Sequence, residues 1–148
     1  MNKKITMDAC MQENWQNWEP ISGLSNKYII DLIKCDSDVG FQIKFSECRN
    51  KEKKILVTFK NGVFAYREAD EKIKNYAVTK LSNAEGLDIY SNWTFFKVTN
   101  SSYLKWLSEE SGTLSEIFYG ITNHYAFAAE NMLLEVADNS EPIVEVID

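Results

Sequence analysis

The sequence predicts a single α+β domain in which a mainly antiparallel sheet carries two main helices packed on one face. Three observations favour this class. The 148 residues suit one domain. Several short runs alternate apolar with polar residues, as half-buried strands do, and two stretches repeat apolar residues at helical spacing. We place the α+β domain at residues 15–148 and interpret residues 1–14 as a polar N-terminal segment that frays.

Strands dominate the first half of the predicted domain. Trp15 and Trp18 stand just before Pro20, which ends a helix, so we expect a short turn whose indoles cover one end of the core. Asn61 and Gly62 both tolerate positive φ and indicate a tight hairpin. We predict four strands, at residues 28–35, 41–46, 55–59 and 63–67. Four strands that follow one another so closely along the chain indicate an antiparallel meander.

The two main helices are predicted further along the chain. Residues 68–82 combine an apolar stripe with acidic side chains in the first turns and Lys80 in the last, as the helix dipole favours. A second helix runs to about Glu110, capped by Asn100 or Ser101. The remaining elements are one or two helical turns at residues 132–137 and strands at residues 93–98, 124–128 and 142–147.

The sequence offers no recognisable catalytic or metal-binding pattern. His124 is the sole histidine, and no nucleophile can be assigned to it, so we interpret it as structural or half-exposed and predict that the protein is not an enzyme. Cys10, Cys35 and Cys48 are odd in number and lack metal-ligand spacing. They predict reduced thiols in the cytoplasm, with no metal and no cofactor. No secretory signal and no membrane-length apolar run occurs.

Charge is distributed unevenly. Residues 106–148 carry nine acidic and no basic side chains, although the whole chain has a net charge of only −6. Such a segment repels phosphates, so we exclude nucleic acid as a partner and favour a protein with a basic surface. The alternative interpretation is a solvated acidic surface that serves solubility.

Two stretches carry a resemblance to a known class of proteins. Residues 92–107 read as a strand running into a capped aromatic helix, and residues 130–148 form an acidic tail. In these features the chain resembles the small acidic immunity proteins of bacterial polymorphic-toxin systems. It lacks the glycine-rich signature of their commonest superfamily, so no subfamily is assigned. The resemblance implies a protein encoded beside a toxin that blocks this toxin by direct binding.

Two functional hypotheses follow. In the first, the protein neutralises a cognate toxin, such as a nuclease, through an acidic surface with aromatic anchors. In the second, it is a small-ligand-binding or scaffold domain with an aromatic pocket lined by Trp93, Phe95, Tyr103 and Trp106. The oligomeric state is left open. The partner-binding candidates of the first hypothesis are Glu109, Glu110, Glu116, Glu135, Asp138, Glu141, Trp106 and Tyr119.

Overall fold

The computed structural model of the protein describes residues 13–70, 72–73, 92–112 and 122–147. Nine strands and one helix with both ends defined lie in these ranges. They are β1 (Asn14–Asn17), β2 (Tyr28–Asp36), β3 (Gly40–Glu47), β4 (Lys54–Phe59), β5 (Ala65–Asp70), β6 (Phe95–Thr99), α1 (Ser102–Glu110), β7 (Asn123–Ala128), β8 (Met132–Asp138) and β9 (Ile143–Ile147).

The strands form two antiparallel sheets that face each other. One sheet has five strands in the order β1-β6-β7-β8-β5, and the other has four in the order β2-β3-β4-β9. Among the residues that the structure describes, 52% are strand and 11% are helix, so this part of the protein is mostly β. The predicted α+β class, with two main helices on one sheet face, is wrong, because the apolar faces of two sheets bury each other.

The main core lies between the two sheets. Phe45 of β3 meets Phe95 of β6 and Phe127 of β7, with ring centroids 5.2 and 5.6 Å apart. All three rings are fully buried, and contacts of this kind add about 0.5–1.5 kcal/mol beyond their burial. Aromatic side chains from both sheets thus hold the layers together.

The predicted turn around the two tryptophans is a strand. Trp15 lies in β1, which pairs with β6, so the polar segment predicted to end at residue 14 already contributes Asn14 to a sheet. Trp15 packs on Phe96 at 5.5 Å, whereas Trp18 packs on Tyr125 of the main core at 5.2 Å. Residues three apart share a helix face but point to opposite faces of an extended chain, so the two indoles cover both sides of the five-stranded sheet.

The turn at Asn61 and Gly62 exists, but the hairpin predicted from it does not. The Gly62 amide donates to the Phe59 carbonyl at 3.0 Å, with a φ of 81° at Gly62. Beyond the turn the chain crosses to the other sheet, where β5 pairs with β8, while β4 pairs with β9. The predicted four-strand meander therefore stops at β4.

Two predicted helical segments are also corrected. Residues 65–70 are strand, so the first predicted helix cannot begin at residue 68. The carboxylate of Asp70 accepts hydrogen bonds from the backbone amides of Lys72 and Ile73, which are helical, and residues 74–82 lie outside the described ranges. The helical turns predicted at 132–137 are instead β8, a strand between β7 and β5. The helix predicted to end near Glu110 is confirmed as α1.

Side chains also tie the start of β2 to the five-stranded sheet. The side-chain amide of Asn131 accepts a hydrogen bond from the backbone N–H of Ile30 at 3.0 Å and donates one to the Ile30 carbonyl at 2.9 Å. A neighbouring strand would form the same two bonds with Ile30. The Lys27 ammonium donates to the carbonyls of Trp93 and Ala128 at 2.9 and 2.7 Å. These bonds satisfy backbone groups where the two sheets approach each other.

Candidate functional site

The helix α1 presents two different faces. Ser101 caps its start, because its hydroxyl accepts from the Leu104 amide at 2.9 Å while its own backbone stays extended. Tyr103, Leu104 and Ser108 are buried. The opposite face carries Trp106, which is 54% exposed, followed three and four positions later by the exposed residues Glu109 and Glu110. We call Trp106, Glu109 and Glu110 the α1 face.

A buried polar network fixes α1 to the five-stranded sheet. The hydroxyl of Ser101 lies 2.6 Å from His124 Nδ1, and His124 Nε2 lies 2.9 Å from Glu135 Oε1. The guanidinium of Arg67 donates to both oxygens of Glu135, at 2.8 and 3.1 Å. These four residues come from the α1 cap, β7, β8 and β5, so the network spans three adjacent strands and the helix.

The hydrogens in this network can be assigned by elimination. The Glu135 carboxylate accepts from Arg67, so His124 Nε2 carries a hydrogen and donates to it. In the neutral imidazole Nδ1 is then an acceptor. The Ser101 hydroxyl donates its hydrogen to Nδ1, and its oxygen accepts the hydrogen bond from the Leu104 amide. In this tautomer both ring nitrogens of His124, both carboxylate oxygens of Glu135 and the Ser101 hydroxyl have hydrogen-bond partners.

Electrostatics keep Glu135 ionised. Burial alone would raise the pKa of this carboxyl, but the hydrogen bonds from His124 and Arg67, together with the positive charge of Arg67, outweigh burial and hold the pKa below its ordinary value of 4.5. Glu135 and Arg67 form an ion pair in which the carboxylate is nearly buried and the guanidinium is half exposed. The pair is therefore neutral overall and anchors β5 to β8.

The order serine, histidine, carboxylate is also that of a hydrolase triad, but the surroundings differ. Ser101 is 4% exposed and His124 is 1% exposed. The Ser101 oxygen already accepts the helix-capping bond, and neither groove described below is lined by Ser101 or His124. A nucleophile must reach its substrate and be free to attack it. This arrangement is suited to holding α1 in place.

Beside the network lies a shallow groove of about 590 Å³ between β5 and α1. The guanidinium of Arg67 lies 4.1 Å from the centre of the Tyr103 ring, in cation–π geometry. The Tyr103 ring in turn stacks on Trp106 at 6.4 Å. The groove is lined by Ala65, Tyr66, Arg67, Tyr103, Trp106 and Leu107.

A second groove, of about 840 Å³, continues from the first. Its walls are the β2–β3 turn and the segment between β4 and β5, and the two grooves share Ala65 and Tyr66. Tyr66 is 42% exposed and contacts the Phe41 ring at 4.8 Å. We call the two grooves together the β5 trough.

The structure separates the predicted contact residues into groups. Trp106, Glu109 and Glu110 come together on the α1 face. Glu141 is exposed and forms an ion pair with Lys97 at 2.7 Å. The remaining members are the buried residues Glu135 and Asp138, together with Glu116 and Tyr119, which lie outside the described residues.

The two buried members have internal partners. Glu135 belongs to the network described above. Asp138 is 4% exposed, and its carboxylate accepts from the amide and the hydroxyl of Ser140. Neither carboxylate is presented at the surface of the free protein.

The aromatic residues of the alternative hypothesis do not share one pocket. Phe95 is fully buried in the main core, and Trp93 packs against it with ring centroids 6.5 Å apart. Tyr103 and Trp106 instead line the groove beside β5. Phe95 and the partly buried Trp93 thus belong to the main core, whereas Tyr103 and Trp106 belong to a surface groove.

Sequence reasoning missed the network, although it named His124 and Glu135 separately. The bond between Arg67 and Glu135 spans 68 positions and requires β5 to lie opposite β8. A local signal existed only for Ser101, which was recognised as a possible helix cap. A register in which β7 and β8 form a hairpin would have placed His124 diagonal to Glu135.

These features define the class of the protein as a two-sheet antiparallel β-sandwich with a buried Ser-His-Glu-Arg network under a surface helix. Within the described ranges there is no cluster of three metal-ligating side chains, and no helix is long and apolar enough to cross a membrane. No protein-family model, no curated protein and no solved structure matches the chain.

Proposed function

We propose that the protein is a non-enzymatic binding protein, an immunity protein that neutralises a cognate toxin by direct contact through the α1 face. The observation that carries the proposal is the exposed indole of Trp106 with the carboxylates of Glu109 and Glu110 beside it. Tryptophan anchors dominate many protein interfaces, and charges at the rim steer association.

The buried network supports this role because it makes the helix a rigid platform. Ser101 caps α1 and binds His124, while Tyr103 packs on the guanidinium of Arg67. A contact surface that is already ordered loses less conformational entropy on binding. The Ser-His-Glu chain thus serves recognition by holding Trp106 in position.

Charge defines the partner that we propose. Glu109 and Glu110 lie in a part of the sequence with no basic side chain after Lys105. A basic cleft, such as the phosphate-binding cleft of a nuclease toxin, would complement these carboxylates. The proposed contact set is narrower than the sequence predicted, because Glu135 and Asp138 are engaged inside the protein.

We also propose that the protein acts in the cytoplasm. Cys35 and Cys48 are free thiols, and free thiols are the usual state in a reducing compartment. The neutralising role is consistent with this location, because a toxin that attacks nucleic acid must be blocked where the nucleic acid is.

Growth rescue tests the proposed function. The toxin, which the proposal places in the adjacent gene, is expressed in a bacterial host with the wild-type protein or with a variant that combines Trp106→Ala, Glu109→Lys and Glu110→Lys. The wild type should restore growth and the variant should not. Glu145→Lys, at an exposed carboxylate of β9, is the control and should still rescue. Full rescue by the α1-face variant would overturn the proposal.

A further inference from the structure

We infer that the partner lays an extended, arginine- or lysine-bearing segment along the edge of β5 that no strand of the described residues occupies, and that this segment pairs with β5 as an added strand. This inference rests on the proposed function, because the trough that would hold the segment ends at Trp106 of the α1 face. It adds the backbone geometry and the charge of the bound segment.

The first argument is the sheet edge. β5 is the last strand of the five-stranded sheet and pairs with β8 from Ala65 to Asp70. In the described part of the chain no strand lies on its other side. Tyr66, Arg67 and Glu68 are exposed there. Edge strands present backbone donors and acceptors to which an extended peptide can add.

The second argument is the shape of the β5 trough. Its two grooves meet at Ala65 and Tyr66 and run between α1 on one side and the β2–β3 turn on the other. Six residues of strand give an edge about 20 Å long. The trough is lined by residues 60–67 and so reaches the first half of this edge, and an open trough beside a strand suits an extended chain better than a compact small molecule.

The third argument is charge. Arg67 is neutralised by Glu135, and Lys34 is paired with Asp36 at 3.4 Å, so these pairs leave no excess charge. The other amines on the lining, on α1 and just after β5 belong to Lys60, Lys105 and Lys72. They are outnumbered by the remaining carboxylates on its lining, on β5 and on α1, which belong to Asp38, Glu68, Asp70, Glu109 and Glu110.

The exposed rings add a fourth argument. Tyr66 and Trp106 are 42% and 54% exposed and stand on the two sides of the groove between β5 and α1. Aromatic faces bind arginine and lysine through cation–π contacts, as Tyr103 already does with Arg67. Cationic side chains on alternate positions of an added strand would therefore meet both rings and carboxylates.

A peptide experiment tests the inference on the full-length protein. The probe is an eight-residue peptide in which arginine and valine alternate, and the control replaces each arginine with glutamate. Two further probes carry N-methyl groups on one or the other set of alternate amides. Binding is followed by amide chemical shifts and by hydrogen exchange of the β5 amides.

We expect the arginine peptide to bind and to slow exchange along β5, whereas the glutamate peptide does not. One N-methyl pattern should weaken binding about tenfold or more, because it removes two or three strand hydrogen bonds, and the other pattern should be tolerated. The variant Glu68→Lys should weaken binding about fivefold at low salt, and Glu145→Lys should have no effect.

Three outcomes would overturn the inference. They are absence of peptide binding, binding that leaves the β5 amides unprotected, and equal tolerance of both N-methyl patterns. Protection of β5 that rises with protein concentration without peptide would show that a second copy occupies the edge, and this too would overturn it. The proposed function would survive all of these, provided that the α1-face variant still fails to rescue growth.

Discussion

At the scale of single residues, the carboxylate of Glu135 is interpreted as a surface contact from the sequence and as an internal ion-pair partner from the structure. Glu135 belongs to the acidic C-terminal part of the sequence and was predicted to meet a partner. In the structure it accepts hydrogen bonds from His124 and Arg67 beneath α1. Sequence alone cannot distinguish the two, because a charge becomes internal only when its partners arrive from distant strands.

The substitution Glu135→Gln should destabilise the protein by about 2–3 kcal/mol at pH 7. Removing one partner of a buried ion pair costs about 3–5 kcal/mol, and water relieves part of that cost here because the Arg67 side chain is half exposed. Urea unfolding measures the difference in free energy. Glu141→Gln, which alters the exposed pair with Lys97, is the control and should change stability by under about 0.5 kcal/mol.

The stability difference between the wild type and Glu135→Gln should depend on pH. The pKa of Glu135 is below 4.5 in the folded protein, so the charged carboxylate stabilises the fold fully above that pH and loses its effect as the pH falls through the folded-state pKa. The stability gap between wild type and Glu135→Gln should therefore be constant from pH 7 to about 5 and shrink below 4.5. A gap that persists unchanged at pH 3 would show that the ionised form does not carry the effect.

At the scale of elements, local signals predicted turns and caps better than they predicted partners. Ser101 was identified as a possible cap, and β2, β3 and β4 lie where alternation and β-rich composition placed them. β8 was predicted as helical turns because its methionine, leucine, glutamate and alanine favour helices. It is also buried on both faces, so it lacks the alternation that identifies a half-exposed strand.

Ser101→Ala should cost about 2–3 kcal/mol. It removes the helix cap, worth about 1 kcal/mol, and leaves His124 Nδ1 buried without its donor. Ser102→Ala is the control, because Ser102 is exposed and its hydroxyl binds Glu13 rather than the buried network, and it should cost under about 0.5 kcal/mol. Equal stability of both variants in urea unfolding would mean that the network does not anchor α1.

Two turn glycines should respond very differently to alanine. At Gly40, with a φ of 96°, an added Cβ would lie 2.2 Å from the Phe59 carbonyl oxygen, whereas at Gly62, with a φ of 81°, no atom lies within 4 Å. Gly62→Ala should therefore cost about 1–2 kcal/mol from backbone strain alone. Gly40→Ala should cost at least about 3 kcal/mol, because strain and a backbone clash combine. Thermal unfolding of the two variants measures the difference, and equal melting temperatures would contradict it.

At the scale of the whole molecule, the two sheets account for both the errors and the successes of sequence reasoning. The sequence correctly predicted strands, a capped helix and an aromatic core, but it joined consecutive strands into one sheet. The chain instead crosses between sheets after Gly62, and β9, the last strand, pairs with β4 in the first sheet that the chain formed. Such long-range strand pairing depends on which apolar sheet faces can bury each other, and the local residue pattern of a single strand does not predict it.

The acidic part of the sequence is likewise divided by the fold. The carboxylates that the structure describes are distributed among the α1 face, the bend at Glu130, the buried network, the Asp138 turn, the Lys97 pair and strand β9. Of these described carboxylates, those of Glu109 and Glu110 lie on the same face of α1 as the exposed indole of Trp106. The recognition surface that we propose is consequently a short helix on the sandwich, with the β5 trough beside it.

The most direct test of this account is the association rate constant between this protein and the product of the adjacent gene, measured at low and at high salt. The double variant Glu109→Lys and Glu110→Lys should slow association about tenfold at low salt and flatten its salt dependence, whereas Glu145→Lys should match the wild type. An unchanged rate constant and salt dependence in the double variant would contradict the claim that the α1 face meets a basic partner.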